Sequence, residues 1–412
     1  MSIDIRMAWR NIWRNPRRSV LTIAAIAFAC LLLVFMLSWQ FGSYDTMINT
    51  SVRIHTGHLQ VQAEGYNEKQ DIRLVIPDPE PLRRIMEATP GVAAYTFRTN
   101  AYSLVSSRNR TYGVLVVGID PAGEKEVSTL KRLVRKGDYL DEAESGTALV
   151  GELLAANLHV DLGDELVLLG QGRDGSVAAT VVTVKGLYRS GQDEFDRSAL
   201  HITLRDFQET YFMRGGVHEC VVLATSLKDV EMVKRRVMNR LTGLAQSHRL
   251  VALDWTELLP GLKEVIQMDL YSGLIFYLIL IVVVTFSILN TFLMAVFERT
   301  REFGVLLSLG TRPGRLSKIL LIESTTMTFI GIALGIIAGC MVTWYFQNHG
   351  IAISGTAEVM RQFGLPERMY PRLSLLSIVI GPAAVMGITF ITALYPALKV
   401  KNLNPVEAMA GK

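Results

Sequence analysis

The run YSGLIFYLILIVVVTFSILNTFLMAVF, residues 271–297, contains no charged side chain and is followed at once by ERTREFGVLLSLG, residues 298–310. A helix needs about 20 mostly apolar residues to cross the hydrocarbon layer of a bilayer. The first segment therefore predicts a membrane span, with 269–297 as its bounds. The second begins with charges and predicts a loop, 298–317, that leaves the membrane.

The rest of the chain contains more spans of this kind. Three further segments meet the same length and composition requirement: 20–44, 318–346 and 373–398. Glu323 lies only about one helical turn inside its span, so we expect its side chain to reach the membrane interface. The sequence thus predicts a membrane α-helical fold with four transmembrane helices.

Lysine and arginine indicate the orientation of these spans, because both accumulate in the short loops that remain in the cytoplasm. They are dense in three segments: 1–19, 298–317 and 399–412. The connection 347–372 between the last two spans has only Arg361, Arg368 and Arg372. We therefore expect both termini on the cytoplasmic side of the membrane and residues 45–268 on the outer side.

The N-terminal segment, residues 1–19, combines basic residues with an apolar helix face. Ile5, Ala8, Ile12 and Trp13 can share that face at helical spacing. Basic amphipathic helices of this kind lie in the plane of the membrane surface. We expect a surface helix here that leads into the first span.

The outer segment, 45–268, alternates short strands with short helices. Residues 58–62 and 219–224 predict strands, whereas 81–88 and 227–241 predict helices with one apolar face. This order of elements favours an α+β extracytoplasmic domain.

The outer domain is predicted to have a split architecture. Residues 45–119 and 216–268 form two βαβ-like halves of a split ferredoxin-like, porter-type domain. Residues 120–215 between them are predicted to form a β-rich insertion.

Residues 170–175, GQGRDG, match the G-x-G-x-x-G pattern of dinucleotide-binding loops. In that motif the glycines open a helix, whereas here strand-like segments flank them and predict a hairpin turn. His55 and His58 lack surrounding Cys, Asp or Glu ligands. With no catalytic motif in the sequence, we expect neither an enzyme nor a directly bound metal or cofactor. The net charge of +4 argues against a nucleic-acid partner.

The loop after the second span has a charged start and an apolar face. Its charged residues are Glu298, Arg299, Arg301 and Glu302. The apolar face consists of Phe303, Leu306, Leu307 and Leu309, and Gly310 ends the element. An exposed apolar face beside a membrane fits either a groove on a partner protein or the lipid headgroups, and its pattern is compatible with both.

Small and polar residues in the spans indicate where helices meet. Gly331, Gly335 and Gly339 recur at four-residue spacing, which allows close approach of a second helix from the bundle or from a dimer partner. Asn290 is costly to expose to lipid, so it should face protein or water.

Motifs at both ends of the chain resemble one family of permeases. They are Ala8-Trp9-Arg10-Asn11, Arg14-Asn15-Pro16-Arg17-Arg18, the 298–310 loop, the glycines of the third span, Tyr395-Pro396-Ala397 and Asn404-Pro405-Val406-Glu407-Ala408. Their order resembles the ABC transporter permeases of the MacB/LolC/FtsX architecture, known as type VII or mechanotransmission transporters.

The resemblance implies partners and a mechanism. A separate ABC ATPase subunit would carry ATP and Mg²⁺, since this sequence has no G-x-x-x-x-G-K-[ST] loop. The 298–310 loop would be the coupling helix that contacts this ATPase. A second permease, identical or a sister chain, would complete a dimer, and closure of the ATPase would move the outer domains.

The outer domain resembles most closely the lipoprotein-releasing LolC/LolE type, through Val117-Gly118-Ile119-Asp120-Pro121 and Gly151-Glu152-Leu153-Leu154-Ala155. This implies release of a lipoprotein to a periplasmic acceptor. MacB-like export of peptides or antibiotics, regulation of cell-wall hydrolases and a membrane sensor with an outer ligand-binding domain stay open. A lipid-anchored cargo would enter at the outer ends of the first two spans, near Phe35, Trp39, Tyr271 and Ile275.

Overall fold

The computed structural model describes residues 3–108, 110–243, 249–352 and 368–401. The chain divides into two compact units. The first consists of Met1–Tyr44, Ile266–Ile351 and Arg368–Lys412, and the second mainly of Asp45–Val265.

The elements are numbered along the chain. The helices are α1 (Ile3–Arg14), α2 (Pro16–Ile54), α3 (Tyr66–Lys69), α4 (Glu80–Ala88), α5 (Pro121–Val127), α6 (Leu130–Leu133), α7 (Glu152–Leu158), α8 (Asp193–Ser198), α9 (Leu204–Thr210), α10 (Val230–Leu241), α11 (Trp255–Leu258), α12 (Pro260–Glu298), α13 (Thr300–Ser308), α14 (Pro313–His349) and α15 (Leu375–Lys401). The strands are β1 (Leu59–Ala63), β2 (Val92–Ser107), β3 (Arg110–Ile119), β4 (Val134–Gly137), β5 (Thr147–Gly151), β6 (Glu165–Gln171), β7 (Val177–Tyr188), β8 (Ala199–Thr203), β9 (Glu219–Ala224), β10 (Leu250–Asp254), β11 (Ile351–Ala352) and β12 (Arg368–Met369).

Helices α2, α12, α14 and α15 are long and apolar enough to cross a membrane, which confirms the four predicted spans. Helices α2 and α12 are both longer than the apolar segments. Helix α2 continues to Ile54 and α12 already begins at Pro260. Hydropathy locates only the apolar part of a helix, so the polar ends of these two helices could not be read from it.

The first unit has a hydrophobic core formed by its long helices and α1. Its buried members come from α1, α2, α12, α14 and α15, and include Ile12, Ile26, Cys30, Leu33, Phe292, Met327 and Val385. On α1, Ala8 and Ile12 are buried, whereas Ile5 and Trp13 are exposed. The predicted apolar face of α1 is therefore split, because this helix also packs against α14 and does not simply rest on the membrane.

The second unit contains one sheet with the strand order β10-β1-β9-β2-β3-β8-β5-β7-β4, to which β6 is added by pairing with β2 and β7. Strand β1 pairs antiparallel with β10 and β9, and β9 pairs antiparallel with β2. Strand β3 pairs parallel with β8, so strands from the predicted insertion continue the same sheet. Strands β6 and β7 form the predicted hairpin around residues 172–176.

Two hydrophobic cores lie along this sheet. One joins α4 and α10 to β1, β9 and β10, and includes Leu59, Val61, Leu82, Met86, Val222, Val233 and Val237. The other belongs mostly to residues 101–213 and includes Val105, Val116, Leu154, Leu168, Leu200 and Phe207. Strand β2 contributes to both cores, because its length lets one end pair with β9 and the other with β6.

A buried ion pair links α5 to β2. Arg98 donates from Nε to Glu124 Oε2 at 2.9 Å and from Nη2 to Oε1 at 2.6 Å, and both side chains are almost fully buried. Nη1 of Arg98 also donates to the backbone carbonyl of His55, just after α2. The fork of an arginine suits two-point contact with a carboxylate, so this pair holds the end of α2 to the sheet.

Candidate coupling site

Helix α13 begins and ends at points fixed by local geometry. Thr300 Oγ1 donates to the Val296 carbonyl, 2.9 Å away, at the end of α12. Gly310 has a φ of +88°, which favours glycine, and its N–H donates to the Leu307 carbonyl at 3.0 Å. The element is therefore a separate helix with defined sides, lying between α12 and α14.

The inner side of α13 is packed against its own chain. Phe303 and Leu307 are buried in a cluster whose other members come from α12, α14 and α15: Val296, Leu316, Leu320 and Val400. This corrects part of the predicted exposed face, since Phe303 points inward and Leu306 is half-buried. The residues that bury Phe303 and Leu307 come from three other helices, so the sequence of α13 alone cannot indicate them.

The outer face of α13 consists of Arg301, Val305, Ser308 and Leu309, all exposed. Val305 is 46% exposed and Leu309 77% exposed. Arg301, Val305 and Leu309 follow one another at four-residue spacing, so they share one side of the helix. The predicted coupling residues Glu302 and Gly310 are exposed beside this face. One basic and two aliphatic side chains thus form a small surface that no other described residue of the chain buries.

A network of charges ties α13 to three other helices. Arg14 of α1 donates from Nη2 to both carboxylate oxygens of Glu302, at 2.5 and 2.6 Å. Arg18 of α2 donates to Glu298 at 2.8 Å. The predicted coupling residue Arg299 lies 3.5 Å from Glu302. The network therefore connects the start of α13 to the end of α1, and the end of α12 to the beginning of α2. Nothing in the sequence pattern indicated Arg14 or Arg18 as partners of these carboxylates.

Arg299 also reaches into the bundle. Its Nη1 lies 3.2 Å from Glu323 Oε2 on α14, and the two side chains are only 12% and 8% exposed. Glu323 is thus buried against Arg299, the residue that precedes α13. The Arg299 guanidinium also stacks over Phe303, 5.4 Å from the ring centroid. Arg299 is thus a structural link behind α13 and not part of its outer face.

The pairs differ in strength because they differ in burial. Arg14 and Glu302 are each 49% exposed, so their contact contributes at most about 1 kcal/mol. The hydrogen bond from Arg14 nevertheless holds the pKa of Glu302 below its usual value. Removing one partner of the buried Arg299–Glu323 pair costs about 3–5 kcal/mol, because the remaining charge loses its buried counter-charge and Arg299 keeps only its 3.5 Å contact with the half-exposed Glu302.

A second polar cluster lies toward the other end of α2 and α12. Tyr44 Oη donates to Asp269 Oδ2 at 2.6 Å, and Tyr277 Oη donates to Gln40 Oε1 at 2.8 Å. A Cβ at Gly273 would lie 2.6 Å from Gln40 Nε2, so glycine lets the two helices approach here. These contacts join the first two spans.

The four residues predicted at a cargo entry occupy two environments. Phe35 is half-buried and packs edge-on against Phe346 of α14, with ring centroids 5.9 Å apart. Trp39 is half-buried as well. Tyr271 and Ile275 are exposed on α12. Only the last two are placed where a molecule outside the chain could contact them directly.

The glycines of α14 face α2. A Cβ at Gly331 would lie 2.8 Å from Ile26 Cβ, one at Gly335 would lie 2.5 Å from Cys30 Cβ and from the Ala27 carbonyl, and one at Gly339 would lie 3.0 Å from Val34 Cβ. The predicted close approach therefore serves the bundle of this chain. The dimer alternative is not needed to explain these glycines.

Alanine at Gly335 should separate α2 from α14. We expect Gly335→Ala to lower stability by about 1–3 kcal/mol, because the methyl group has no room and backbone atoms must shift. Gly387→Ala on α15 is the matched control, since nothing lies within 4 Å of its Cβ position. The measurement is the thermal unfolding midpoint of both purified variants in lipid nanodiscs. Equal unfolding midpoints for Gly335→Ala and Gly387→Ala would show that α2 and α14 do not need a glycine at position 335 to pack together.

Helix α12 exposes a stripe of side chains that includes one amide. The stripe consists of Ile279, Val283, Phe286, Asn290, Met294 and Phe297. Its members are separated by three or four residues, as in a coiled-coil seam. Within the described part of the chain the Asn290 side chain has no hydrogen-bond partner. The expectation that Asn290 faces protein is therefore not met by its own chain.

The C-terminal motif 404–408 lies outside the described residues.

Comparison with known families covers both units. Residues 19–240 match the family described as MacB-like periplasmic core domain. Residues 274–405 match the family described as FtsX-like permease C-terminal. The second match includes α13, the three glycines of α14 that face α2, and α15.

Individual relatives match over most of their length. The lipoprotein-releasing system transmembrane protein LolC of Xylella fastidiosa is 24% identical over 95% of this chain and 93% of its own. The ABC transporter permease YtrF of Bacillus subtilis is 24% identical over 97% of both chains. Among solved structures, the periplasmic region of MacB from Actinobacillus actinomycetemcomitans is 13% identical and covers 49% of this chain and 91% of that one, with a TM-score of 0.36.

Proposed function

This chain belongs to the family of ABC transporter permeases with a MacB-like periplasmic core domain and an FtsX-like C-terminal region, and on that premise we propose that α13 couples it to a separate ABC ATPase subunit. ATP and Mg²⁺ bind to that subunit, which also carries out the hydrolysis. The permease itself converts the motion of the ATPase into movement of its outer domain.

The outer face of α13 is the observation that carries this proposal. A short helix that exposes Arg301, Val305 and Leu309 offers aliphatic anchors and one charge to a groove. Helix-in-groove recognition uses anchors at this four-residue spacing. The alternative, a helix resting on lipid headgroups, is less favoured because two of its apolar side chains, Phe303 and Leu307, are already buried in the bundle.

The charge network supports transmission of force. A push on α13 acts on Arg299 and Glu302, and through them on α14 and α1. The end of α12 is linked to α2 separately, by the pair of Glu298 with Arg18. Helix α2 continues without interruption to Ile54, and α12 runs without interruption from Pro260. We assign to these two helices the transfer of movement to the outer domain, in line with a mechanotransmission mechanism.

The side of the membrane follows from the distribution of lysine and arginine. Both termini and α13 are assigned to the cytoplasm, and the second unit to the periplasm. The spans then lie in the inner membrane of a bacterium. The order β10-β1-β9-β2, with α4 and α10 as connections, supports a split ferredoxin-like module in the outer domain.

We infer release of lipoproteins from the inner membrane as the transport reaction. The support is the similarity to the LolC protein along nearly all of both chains. Cargo enters at the outer ends of the first two spans, near Tyr271 and Ile275, and a periplasmic acceptor takes it up. A membrane sensor would need none of these steps.

Trapping the cargo tests this assignment. The chain is purified from its own membranes together with an ATPase partner whose hydrolytic glutamate is replaced by glutamine, and bound proteins are identified by mass spectrometry. Lipid-modified proteins should be enriched over the same preparation with active ATPase. Enrichment of unmodified peptides or antibiotics would favour export instead, and copurification of no ATPase would favour a sensor.

A second permease is the partner that the stripe on α12 favours. Asn290 sits among apolar side chains, and an amide in a membrane is stabilised by a hydrogen bond to a neighbouring helix. One polar residue within an apolar seam also fixes the register of a helix pair. We therefore assign the α12 stripe to the interface with an identical or sister permease.

A photoreactive residue should map this interface. With p-benzoylphenylalanine at position 290, irradiation of membranes should give an adduct of the chain with a second permease, identified by mass. The matched control is position 285, since Thr285 is half-buried and donates to the Ile281 carbonyl of its own helix. Adducts with lipid alone at position 290, or equal adducts at both positions, would contradict the assignment.

A further inference from the structure

The second unit contains a cavity of about 910 Å³ that no part of the coupling proposal uses. Its walls come from three places: the end of α2 with the residues that follow, the beginning of α8, and the beginning of α12. The apolar lining consists of Met47, Ile54, Phe195, Leu259, Leu262 and Val265. A volume of this size lies in the range of sites that hold a small organic ligand.

His55 gives the cavity a hydrogen-bond donor of defined position. Arg98 Nη1 lies 3.3 Å from His55 Nδ1, and since arginine can only donate, Nδ1 must accept. Burial, together with the nearby Arg98 charge, holds the pKa of His55 well below its usual value, so the ring is neutral. Its single proton is therefore on Nε2, which has no acceptor among the described residues.

Thr56 also belongs to the lining. Its hydroxyl oxygen is buried and lacks a partner within the described ranges. Because this oxygen has almost no accessible surface, it lies behind the lining and does not face a ligand in the cavity. Ser51 and Gln192 lie in the same lining and offer further polar contacts.

The charged residues of the lining are acidic. Asp193 and Glu194 line the cavity and are exposed, whereas no lysine or arginine belongs to its described lining. Arg197, outside the lining, lies 3.7 Å from Asp193. Glu194 has no ion pair with another described residue, which leaves its charge available to a cation.

We propose that this cavity binds a cationic amphiphile: a molecule with an apolar body, a hydrogen-bond acceptor and an amine. The apolar body lies against the aliphatic walls and Phe195. The acceptor takes a hydrogen bond from His55 Nε2, and the amine lies near Glu194. Anionic amphiphiles are disfavoured, because their charge would face two carboxylates. The inference goes beyond the coupling function and needs no ATPase.

A matched pair of photoreactive probes tests the site. The probes are a twelve-carbon amine and the corresponding twelve-carbon carboxylate, each with a diazirine on the chain. Each is irradiated with the full chain in nanodiscs of neutral lipid, and labelled peptides are mapped by mass spectrometry. The amine should label peptides that contain residues 47–56 and 192–195 roughly fivefold more than the carboxylate does, the effect expected of one exposed charge.

Substitutions make the result specific. Leu262→Trp should fill the cavity and reduce labelling of these peptides at least about tenfold, while labelling of the apolar spans stays unchanged. Leu270→Trp is the matched control on the same helix, since Leu270 is exposed and lies outside the lining. Glu194→Gln should remove most of the preference for the amine.

Three results would overturn the proposal. These are labelling confined to the membrane spans, equal labelling of the cavity peptides in the Leu262→Trp and Leu270→Trp variants, and labelling by the carboxylate as strong as by the amine. Because the assay contains no ATPase, failure of the coupling proposal leaves these outcomes unaffected.

Discussion

Leu309→Asp is expected to weaken binding of the ATPase subunit by about 30- to 700-fold. Leu309 is 77% exposed at the end of the outer face of α13, where a partner groove would desolvate it. Replacing an aliphatic anchor of an interface by a charge costs about 2–4 kcal/mol, which corresponds to that change in affinity. The permease should remain folded, because this side chain takes no part in the buried cluster behind α13.

The measurement is retention of an ATPase, recognised by photolabelling with azido-ATP, on the immobilised permease. Leu309→Met is the control and should retain wild-type binding. Unaltered retention by Leu309→Asp would show that the outer face of α13 does not contact the ATPase. A lowered unfolding midpoint would show instead that the substitution damages the permease itself.

Glu323→Ala is expected to lower the stability of the permease by about 3–5 kcal/mol. The substitution leaves Arg299, only 12% exposed, without its buried partner. A charge that is buried without compensation is far more costly than the lost contact alone. The double variant Arg299→Met with Glu323→Leu should therefore recover most of the stability, since apolar residues replace both charges.

The unfolding midpoint in detergent, followed by tryptophan fluorescence, measures this effect. Arg14→Ala provides the comparison, because its pair with Glu302 is half-exposed and should cost at most about 1 kcal/mol. If Glu323→Ala unfolds at the wild-type midpoint, or if the double variant is as unstable as Glu323→Ala, the buried pair does not have the role assigned to it.

The spans and the strands of the outer domain were predictable because each leaves a local periodic pattern. Uninterrupted apolar runs identified α2, α12, α14 and α15. Alternation identified β1, and the glycine-rich 170–175 segment was correctly predicted as a hairpin turn because a strand follows it. Four-residue glycine spacing predicted a close helix contact, although only the structure identified α2 as the neighbour.

The sides of α13 were not predictable from the same pattern. In a helix of nine residues, Phe303 and Leu309 are equally plausible members of an exposed face. Which one turns inward is decided by Leu316, Leu320 and Val400, which come from distant parts of the chain. The ion-pair partners of Glu323 and Glu302 were missed for the same reason. The local sequence around each carboxylate does not indicate that Arg299 lies beside Glu323 or that Arg14 lies beside Glu302.

Labelling of a cysteine at position 309 shows whether the ATPase subunit covers α13. In a Cys340→Ser background, the Leu309→Cys permease in vesicles reacts with a membrane-impermeant maleimide, with and without the ATPase subunit. Cys30 and Cys220 are buried and should not compete. Bound ATPase should slow the reaction at least about tenfold, whereas an unchanged rate with the ATPase bound would show that α13 is not the contact.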